Sequence, residues 1–188
     1  MSQSDGRRHE SLSKPEWTVE ESITEYTTGW YQGGYDLVRQ PDGSTKRYYW
    51  AELATAVVVV AVQDEQVIFV EQYRPTIRET QFELPAGVVE SGESFTQAAK
   101  RELQEETGFA AESTALLESF WCSTGVLRHR RGFVYCSDLQ PVNQSLDENE
   151  FLSVHSVSIE NAIEVARQSP TNDATIEGIL LARNEDLL

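Results

Sequence analysis

Seven consecutive apolar residues, AVVVVAV at 56–62, restrict the possible fold more than any other feature of this chain. The run is far too short to cross a bilayer, which requires about 20 apolar residues. Because its apolar positions are consecutive, it predicts a strand that is buried on both faces. A second strand-like run follows, so the segments 55–62 and 66–73 predict a hairpin that is joined by Gln-Asp-Glu.

The segments on either side extend this prediction. Residues 17–54 are rich in strand patterns, with a Pro-Asp-Gly turn signal at 41–43, and predict a small antiparallel sheet ahead of the main domain. We expect a disordered tail at 1–14, this sheet at 15–54 and the main domain at 55–188. The order of elements favours an α+β or mixed α/β fold. Predicted helices lie at 94–106, 159–168 and 174–183, and later strands at 115–122, 132–137 and 152–158.

The charge balance limits the partners that the chain can have. Its net charge is −16 and its pI about 4.5, so we expect no nucleic-acid partner, since phosphate binding needs a basic face. Only three lysines stand against twelve arginines. Such an acidic, lysine-poor composition resembles that of proteins from salt-loving organisms, where salt screens self-repulsion. The alternative is an ordinary acidic enzyme.

The first twelve residues, MSQSDGRRHESL, contain no apolar stretch of the kind that a secretory signal needs. We therefore expect a cytoplasmic protein without a membrane partner. The two cysteines, Cys122 and Cys136, do not form a disulfide framework. They could pair across neighbouring strands, but two reduced thiols in the core are the expected arrangement.

Three carboxylates crowd into the helix predicted at 94–106. On a helical wheel, Glu102, Glu105 and Glu106 fall within roughly 100° of arc, and the apolar side chains of Phe95, Ala99 and Leu103 overlap and continue one edge of that arc. Like charges at this spacing repel each other. Because the acidic face borders the core, it favours a bound divalent cation, for which carboxylate oxygens are suitable ligands. A solvated acidic helix is the alternative.

The spacing around these carboxylates is more specific than the cluster itself. The 23 residues from Gly87 to Phe109, GVVESGESFTQAAKRELQEETGF, match every fixed position of the Nudix box. The chain therefore resembles Nudix hydrolases from about Trp17 onward. The resemblance implies the α/β/α fold of that family, in which a mixed sheet is sandwiched between helices. It also implies that the chain is an enzyme.

Roles for individual residues follow from the same resemblance. Gly87 would let the loop turn sharply into the helix, and Gly108 would end the helix. Arg101 would brace the loop through Glu93 or a backbone carbonyl. The cofactor would be Mg²⁺, with Mn²⁺ as the alternative. The implied metal ligands are the Ala86 carbonyl and the carboxylates of Glu102, Glu105, Glu106 and Glu150, and the implied catalytic group is Glu148 as general base with Glu105 and Arg101.

Beyond the box, the stretch VEQYRPTIRETQFELPAG resembles the ADP-ribose pyrophosphatase branch of the family. Members of that branch are usually homodimers that exchange the N-terminal sheet, which implies the same for residues 15–54. The resemblance places Trp30 on the position that stacks the adenine ring and Arg47 and Arg74 on phosphate-binding positions. The alternatives are an interface aromatic for Trp30, a solvated side chain for Arg47 and a structural ion pair for Arg74.

The implied reaction is Mg²⁺-dependent hydrolysis of the diphosphate bond of ADP-ribose or a related nucleoside diphosphate sugar, giving AMP or another mononucleotide and a sugar phosphate. Two departures from the branch, Thr124 in place of a proline and His129 in place of a glutamate, leave the sugar and the base open. His129 is interpreted as a loop residue rather than a metal ligand, and His155 and His9 are interpreted as structural. The alternative functions are hydrolysis of another nucleoside diphosphate derivative or a triphosphate, and nucleotide sensing without turnover.

Overall fold

The computed structural model describes residues 16–146 and 148–188, so the tail predicted at 1–14 lies outside the described residues. The chain divides into two compact units, Met1–Glu52 and Leu53–Leu188. In chain order, the described elements are β1 (Thr18–Thr27), β2 (Tyr31–Arg39), β3 (Thr45–Leu53), β4 (Ala56–Gln63), β5 (Gln66–Arg74), β6 (Glu79–Glu83), β7 (Ala86–Val88), α1 (Phe95–Thr107), β8 (Phe109–Trp121), β9 (Leu127–Arg128), β10 (Arg130–Pro141), β11 (Leu152–Ser158), α2 (Ile159–Ala166) and α3 (Asp173–Asn184).

The first unit is a small sheet in which β1, β2 and β3 are neighbours in that order. β1 and β2 are antiparallel, and the connection between them is a tight turn. In that turn the Thr28 hydroxyl accepts hydrogen bonds from the backbone N–H groups of Trp30 and Tyr31. Most side chains of β1 are exposed.

The second unit is built on a mixed sheet with the strand order β11-β5-β4-β10-β8. β4 and β10 run parallel, whereas β8 is antiparallel to β10 and β11 is antiparallel to β5. Two short strands complete the sheet, because β6 pairs with β5 and β7 pairs with β4. This arrangement puts β4 at the centre of the unit.

Successive residues of β4 point to opposite layers of the unit. Val57 and Val59 belong to the core cluster that contains Ala98, Ala99 and Leu103 of α1. Val58 and Val60 belong to a second cluster, which contains the buried faces of α2 and α3. Helices therefore cover both faces of the sheet, since a strand that is apolar at every position needs a packed layer on each side. The predicted α+β fold, with a mixed sheet between helices, is confirmed.

The predicted hairpin of β4 and β5 is wrong over most of its length. The pairs Val62–Val67 and Gln63–Gln66 connect the two strands, around a two-residue turn at Asp64 and Glu65 with φ of 49° and 60°. Positive φ at both turn residues is typical of a type I′ turn, which fixes a tight hairpin tip. Beyond the tip the strands separate. β4 pairs with β10 and β7, and β5 pairs with β11 and β6.

The strands β8 and β10 are longer than their apolar runs. β8 was expected at 115–122 but starts at Phe109, and β10 was expected at 132–137 but covers Arg130–Pro141. The added residues pair with each other, so backbone hydrogen bonds extend the strands where side chains give no apolar pattern. Both cysteines are free and buried. Among the residues that the structure describes, no helix is long and apolar enough to cross a membrane.

Candidate active site

The helix α1 presents the acidic face of the site, and both of its ends are fixed by local contacts. Ser94 is the N-cap, and its side chain accepts a hydrogen bond from the Gln97 backbone while the Gln97 side chain accepts one from the Ser94 N–H. This capping box satisfies amide groups that would otherwise lack partners. Gly108 follows the helix with φ of 72°, a conformation that favours glycine.

Two carboxylates of α1 are buried. Glu102 is 7% exposed and Glu106 is 4% exposed, whereas Glu105 is partly exposed. Glu106 Oε2 accepts a hydrogen bond of 3.0 Å from the backbone N–H of Ala86, at the start of β7. Glutamate is almost never fully buried without a charged or polar partner. The position of this pair, facing inward from α1, agrees with the helical wheel.

Arg101 is the main cation beside these carboxylates. Its guanidinium donates two hydrogen bonds of 3.0 Å to Glu93 and one of 2.8 Å to the carbonyl of Val88. The sequence predicted that Arg101 contacts either Glu93 or a backbone carbonyl, and the structure has both contacts. The same group also donates to Glu102 at 2.8 Å and to Glu105 at 3.0 Å. Arg101 therefore links the loop before α1 to two of its three carboxylates.

The prediction that Gly87 makes a sharp turn is wrong. Gly87 lies within the short strand β7, and the glycine with positive φ in the connection to α1 is Gly92, at 89°. A different constraint applies to Gly87: a Cβ built there would lie 2.0 Å from Cδ of Glu102. The missing side chain leaves the space that the Glu102 carboxylate occupies.

Burial changes the acidity of the two inner carboxylates. It raises the pKa of Glu106 to about 8, and the negative charges of Glu102 and Glu150 act in the same direction. Burial also raises the pKa of Glu102, although Arg101 opposes this shift. By contrast, hydrogen bonds from Arg101 lower the pKa of Glu93. Glu106 is thus the inner carboxylate for which a charge-compensating partner matters most.

The loop between β10 and β11 carries both predicted glutamates, Glu148 and Glu150. The charge of Glu150 acts on both Glu102 and Glu106, so Glu150 lies within electrostatic reach of them. Glu148 lies in an exposed turn of the same loop. The roles of general base for Glu148 and metal ligand for Glu150 remain predictions.

The donor set suits a magnesium ion that is shared with a substrate. Within residues 16–146 and 148–188, no three His, Cys, Asp or Glu side chains form a ready-made metal site. Mg²⁺ seldom uses an all-protein cage, and it commonly binds one or two carboxylates together with substrate phosphates. Glu102 and Glu106 supply such a pair, and a cation would favour the ionised form that burial disfavours. The residues therefore fit a divalent ion.

Glu83 is a central residue of the site to which the sequence reasoning gave no role. It is 5% exposed at the end of β6. Its carboxylate accepts hydrogen bonds from Arg74 Nε at 3.0 Å, from Gln72 at 3.0 Å and from Asn172 at 3.0 Å. A signal was present in the sequence, because Glu83 opens the Glu-Leu-Pro-Ala-Gly stretch that carries the resemblance. From the sequence, a structural ion pair is the alternative role of Arg74, and the structure contains this ion pair with Glu83.

The other predicted substrate residues lie in the first unit. Trp30 is 86% exposed in the turn between β1 and β2. Arg47 projects from β3, and its guanidinium lies 4.6 Å from the centre of the Tyr35 ring. This distance is typical of a cation–π contact.

The residues that depart from the ADP-ribose branch belong to the second unit. Thr124 is exposed in the turn after β8. His129 is nearly buried, with Nδ1 2.8 Å from the Ala54 carbonyl, and burial lowers its pKa. His155 Nε2 lies 3.1 Å from Glu71. The contact of His155 agrees with its interpretation as a structural residue, whereas His129, interpreted as a loop residue, is nearly buried between β9 and β10.

Comparison with known proteins identifies the family. The family model described as NUDIX domain matches residues 52–178, which include the whole acidic helix and most of the sheet around it. This chain belongs to the Nudix hydrolase family. The predicted family and the prediction of an enzyme are confirmed.

Three similar proteins match most of this chain. An ADP-ribose pyrophosphatase of Bacillus subtilis (strain 168) is 33% identical over 140 residues, covering 73% of this chain and 76% of that protein. The methanol dehydrogenase activator of Bacillus methanolicus is 31% identical over 142 residues, covering 74% and 77%. A crystal structure of an ADP compounds hydrolase superposes with a TM-score of 0.85 at 22% identity, over 93% of this chain and 96% of that one, and shows the shared fold.

The raised pKa of Glu106 predicts how the stability of the metal-free protein depends on pH. The folded protein keeps a proton on Glu106 up to about pH 8, whereas the unfolded chain releases it near the ordinary pKa of 4.5. The folded state therefore binds more protons between these values, and the free energy of unfolding from this group falls as pH rises through the window. Adding Mg²⁺ should raise Tm more at pH 8 than at pH 5.

Thermal unfolding with EDTA and with Mg²⁺ at both pH values measures this effect. Glu106→Gln is the control, because it removes the titrating group at nearly constant shape and should weaken the pH dependence. A gain in Tm from Mg²⁺ that is equal at both pH values, or larger at pH 5, would contradict the role given to Glu106.

Proposed function

We propose that this chain hydrolyses the diphosphate bond of ADP-ribose or a related nucleoside diphosphate sugar, giving a nucleoside monophosphate and a sugar phosphate. The observation that carries the proposal is the buried pair Glu102 and Glu106 on α1, next to the Arg101 network. The complete box over residues 87–109 and the ADP-ribose pyrophosphatase among the relatives support this substrate class.

The cofactor in this proposal is Mg²⁺, with Mn²⁺ as the alternative. Glu102 and Glu106 would hold it, assisted by Glu105, Glu150 and the carbonyl of Ala86. A bound divalent ion neutralises the charge of the diphosphate and makes a water molecule a better nucleophile. The network of Arg101 keeps the carboxylates of Glu102 and Glu105 in place, so that little rearrangement is needed when the substrate binds.

Glu148 accepts the proton of the attacking water in the proposed reaction. Its exposed position leaves its carboxylate free to receive a proton and to pass it to solvent. The water attacks one phosphorus atom, the bond between that phosphorus and the bridging oxygen breaks, and the bridging oxygen leaves with the other phosphate. No covalent bond to the protein forms in this scheme.

Three residues bind the substrate in the proposal. Arg74 meets the diphosphate, because its ion pair with Glu83 fixes the side chain while 43% of it remains exposed. A guanidinium can donate to two phosphate oxygens at once. Trp30 stacks on the base, and Arg47 provides a second contact to the phosphates. Trp30 and Arg47 belong to the first unit, whose sheet the two subunits would exchange in the proposed homodimer.

Exposed aromatic side chains support the proposed homodimer. Trp17, Tyr26, Tyr48 and Tyr49 are all exposed on the first unit. Aromatic residues are enriched in protein interfaces. We further propose a cytoplasmic location and an acidic surface that is adapted to high salt.

The first experiment is an assay of the purified protein with Mg²⁺, at low and at molar salt. The substrates are ADP-ribose, other ADP- and UDP-sugars, dinucleotides and nucleoside triphosphates. AMP and ribose 5-phosphate are the expected products from ADP-ribose. Turnover of triphosphates alone would replace the proposed substrate class, and tight binding without turnover at either salt would favour a nucleotide sensor.

A further inference from the structure

The side chain of Asn172, at the N-terminus of α3, connects that helix to the candidate active site. Its Oδ1 accepts a hydrogen bond of 2.8 Å from the backbone N–H of Thr175, which makes Asn172 the N-cap of the helix. Its Nδ2 donates a hydrogen bond of 3.0 Å to the Glu83 carboxylate. A side-chain amide carries an acceptor at one end and donors at the other, so both ends are used here.

Glu83 is the carboxylate that holds Arg74. It is 5% exposed, and its two oxygens accept hydrogen bonds from Arg74 Nε at 3.1 and 3.0 Å. Gln72 donates to the same carboxylate at 3.0 Å. Because the guanidinium is planar and rigid, the position of this carboxylate sets the orientation of Arg74. A movement of Glu83 would therefore move the cation.

The pair of Arg74 and Glu83 lies on the face of the sheet that α1 covers. Ile68 of β5 belongs to the core cluster that contains residues of α1, and side chains two positions apart on a strand share a face, so Arg74 lies on that face as well. Glu83 pairs with Val70, which has the same direction. The charge of Arg74 also acts on the Glu106 carboxylate. The orientation of Arg74 thus matters within reach of the proposed metal site.

A backbone contact joins the first turn of α3 to the same segment. The N–H of Leu84 donates a hydrogen bond of 3.2 Å to the hydroxyl of Thr175, which is 1% exposed. At the other end of this segment, the N–H of Ala86 donates to Glu106. These two contacts hold the backbone of residues 84–86 without Asn172. Loss of the Asn172 amide should therefore release the Glu83 side chain while the backbone stays in place.

We propose that Asn172 is a positioning residue, which holds Glu83 so that Arg74 keeps the orientation in which it binds the diphosphate. The inference rests on the proposed function, because that function assigns Arg74 to the diphosphate. Asn172 then has two separable tasks, since Oδ1 caps α3 and Nδ2 orients the site. Serine and aspartate cap helices about as well as asparagine, and neither carries an amide N–H.

Calorimetric titration of variants at position 172 tests the proposal. The probe is the α,β-methylene analogue of ADP-ribose, in which a carbon replaces the bridging oxygen, in the presence of Mg²⁺. Asn172→Ser keeps the cap and loses the amide, so Kd should rise about fivefold while Tm stays within about 2 °C of the wild type. Asn172→Asp sets a second carboxylate against Glu83, and Kd should rise about tenfold. Asn172→Ala also loses the cap, so Tm should fall by about 3 °C as well.

A double-mutant cycle with Arg74→Ala shows whether the effect passes through Arg74. The cycle is measured as kcat/KM for ADP-ribose, which can be determined even when binding is weak. In the Arg74→Ala background, Asn172→Ser should have hardly any further effect, because residues that act through one group give non-additive losses. Asn161→Ser is the matched control, since it makes the same chemical change at an exposed position of α2 and should leave Kd and Tm unchanged.

The pattern across the variants separates a positioning role from a structural one. Wild-type Kd in Asn172→Ser and Asn172→Asp, with weaker binding only in the less stable Asn172→Ala, would mean that Asn172 is a helix cap alone and would overturn the inference. Additive losses in the cycle would overturn it too. If the probe binds with the expected pattern but no nucleoside diphosphate sugar is hydrolysed, the proposed function fails and the positioning role stands. Neither binding nor turnover by the wild-type protein would overturn both.

Discussion

Glu106→Gln should abolish hydrolysis while leaving the fold intact. We expect kcat to fall about a thousandfold or more, since a divalent ion contributes several kcal/mol of transition-state stabilisation and each tenfold change in rate corresponds to about 1.4 kcal/mol. Glutamine keeps the shape of the side chain, and its oxygen can still accept the hydrogen bond from the Ala86 N–H. The loss would therefore come from the missing charge rather than from altered packing.

Stability provides the second half of this prediction. Because Glu106 is 4% exposed, its ionised form is costly to bury in the metal-free protein. Glu106→Gln should accordingly raise Tm at pH 8 in EDTA, at the same time as it removes activity. Initial rates and thermal melts on the same preparation measure both effects.

Glu112→Gln is the matched control for this pair of measurements. It makes the same chemical change at an exposed position of β8 and should leave kcat and Tm nearly unchanged. If Glu106→Gln keeps more than a tenth of the wild-type kcat, the buried pair is not the centre of the reaction.

The fold could be predicted wherever side-chain pattern alone decides structure. The continuous apolar run of β4 required packed layers on both faces, and the structure has α1 on one face and α2 with α3 on the other. The hairpin prediction holds at the tip, where β4 and β5 pair, but not along the rest of the two strands, which pair with other partners. The parallel partner of β4 is β10, which lies more than sixty residues later, and no local pattern encodes that pairing.

The candidate site, like the fold, could be predicted only where residues close in sequence decide the structure. The inward direction of Glu102 and Glu106 follows from helical periodicity, and the wheel predicted it. The contacts of Glu83 with Arg74 and Asn172 join β5, β6 and the N-cap of α3, so they depend on the assembled sheet. The steric constraint on Gly87 could not be predicted from local sequence either. The side chain that a Cβ at Gly87 would meet is that of Glu102, which lies fifteen positions later in α1.

Gly87→Ala should remove most of the activity with little loss of stability. The added Cβ would lie 2.0 Å from Cδ of Glu102, so the carboxylate must move. The backbone can accept alanine, because Gly87 is not among the residues with positive φ. Only the end of a side chain has to shift, which costs little folding energy but displaces a proposed metal ligand. A misplacement of about 1 Å in a catalytic site can cost about a hundredfold in rate, and we expect a loss of that order in kcat.

A double-mutant cycle with Glu102→Gln distinguishes this mechanism from general damage. If Gly87→Ala acts through the Glu102 carboxylate, the double variant should be hardly less active than Glu102→Gln alone, since residues that act through one group give non-additive effects. Gly125→Ala is the matched control, because a Cβ there would meet nothing within 4 Å. Additive losses in the cycle, or a Tm that falls by many degrees in Gly87→Ala, would mean that Gly87 supports the fold of β7 rather than the position of the Glu102 carboxylate.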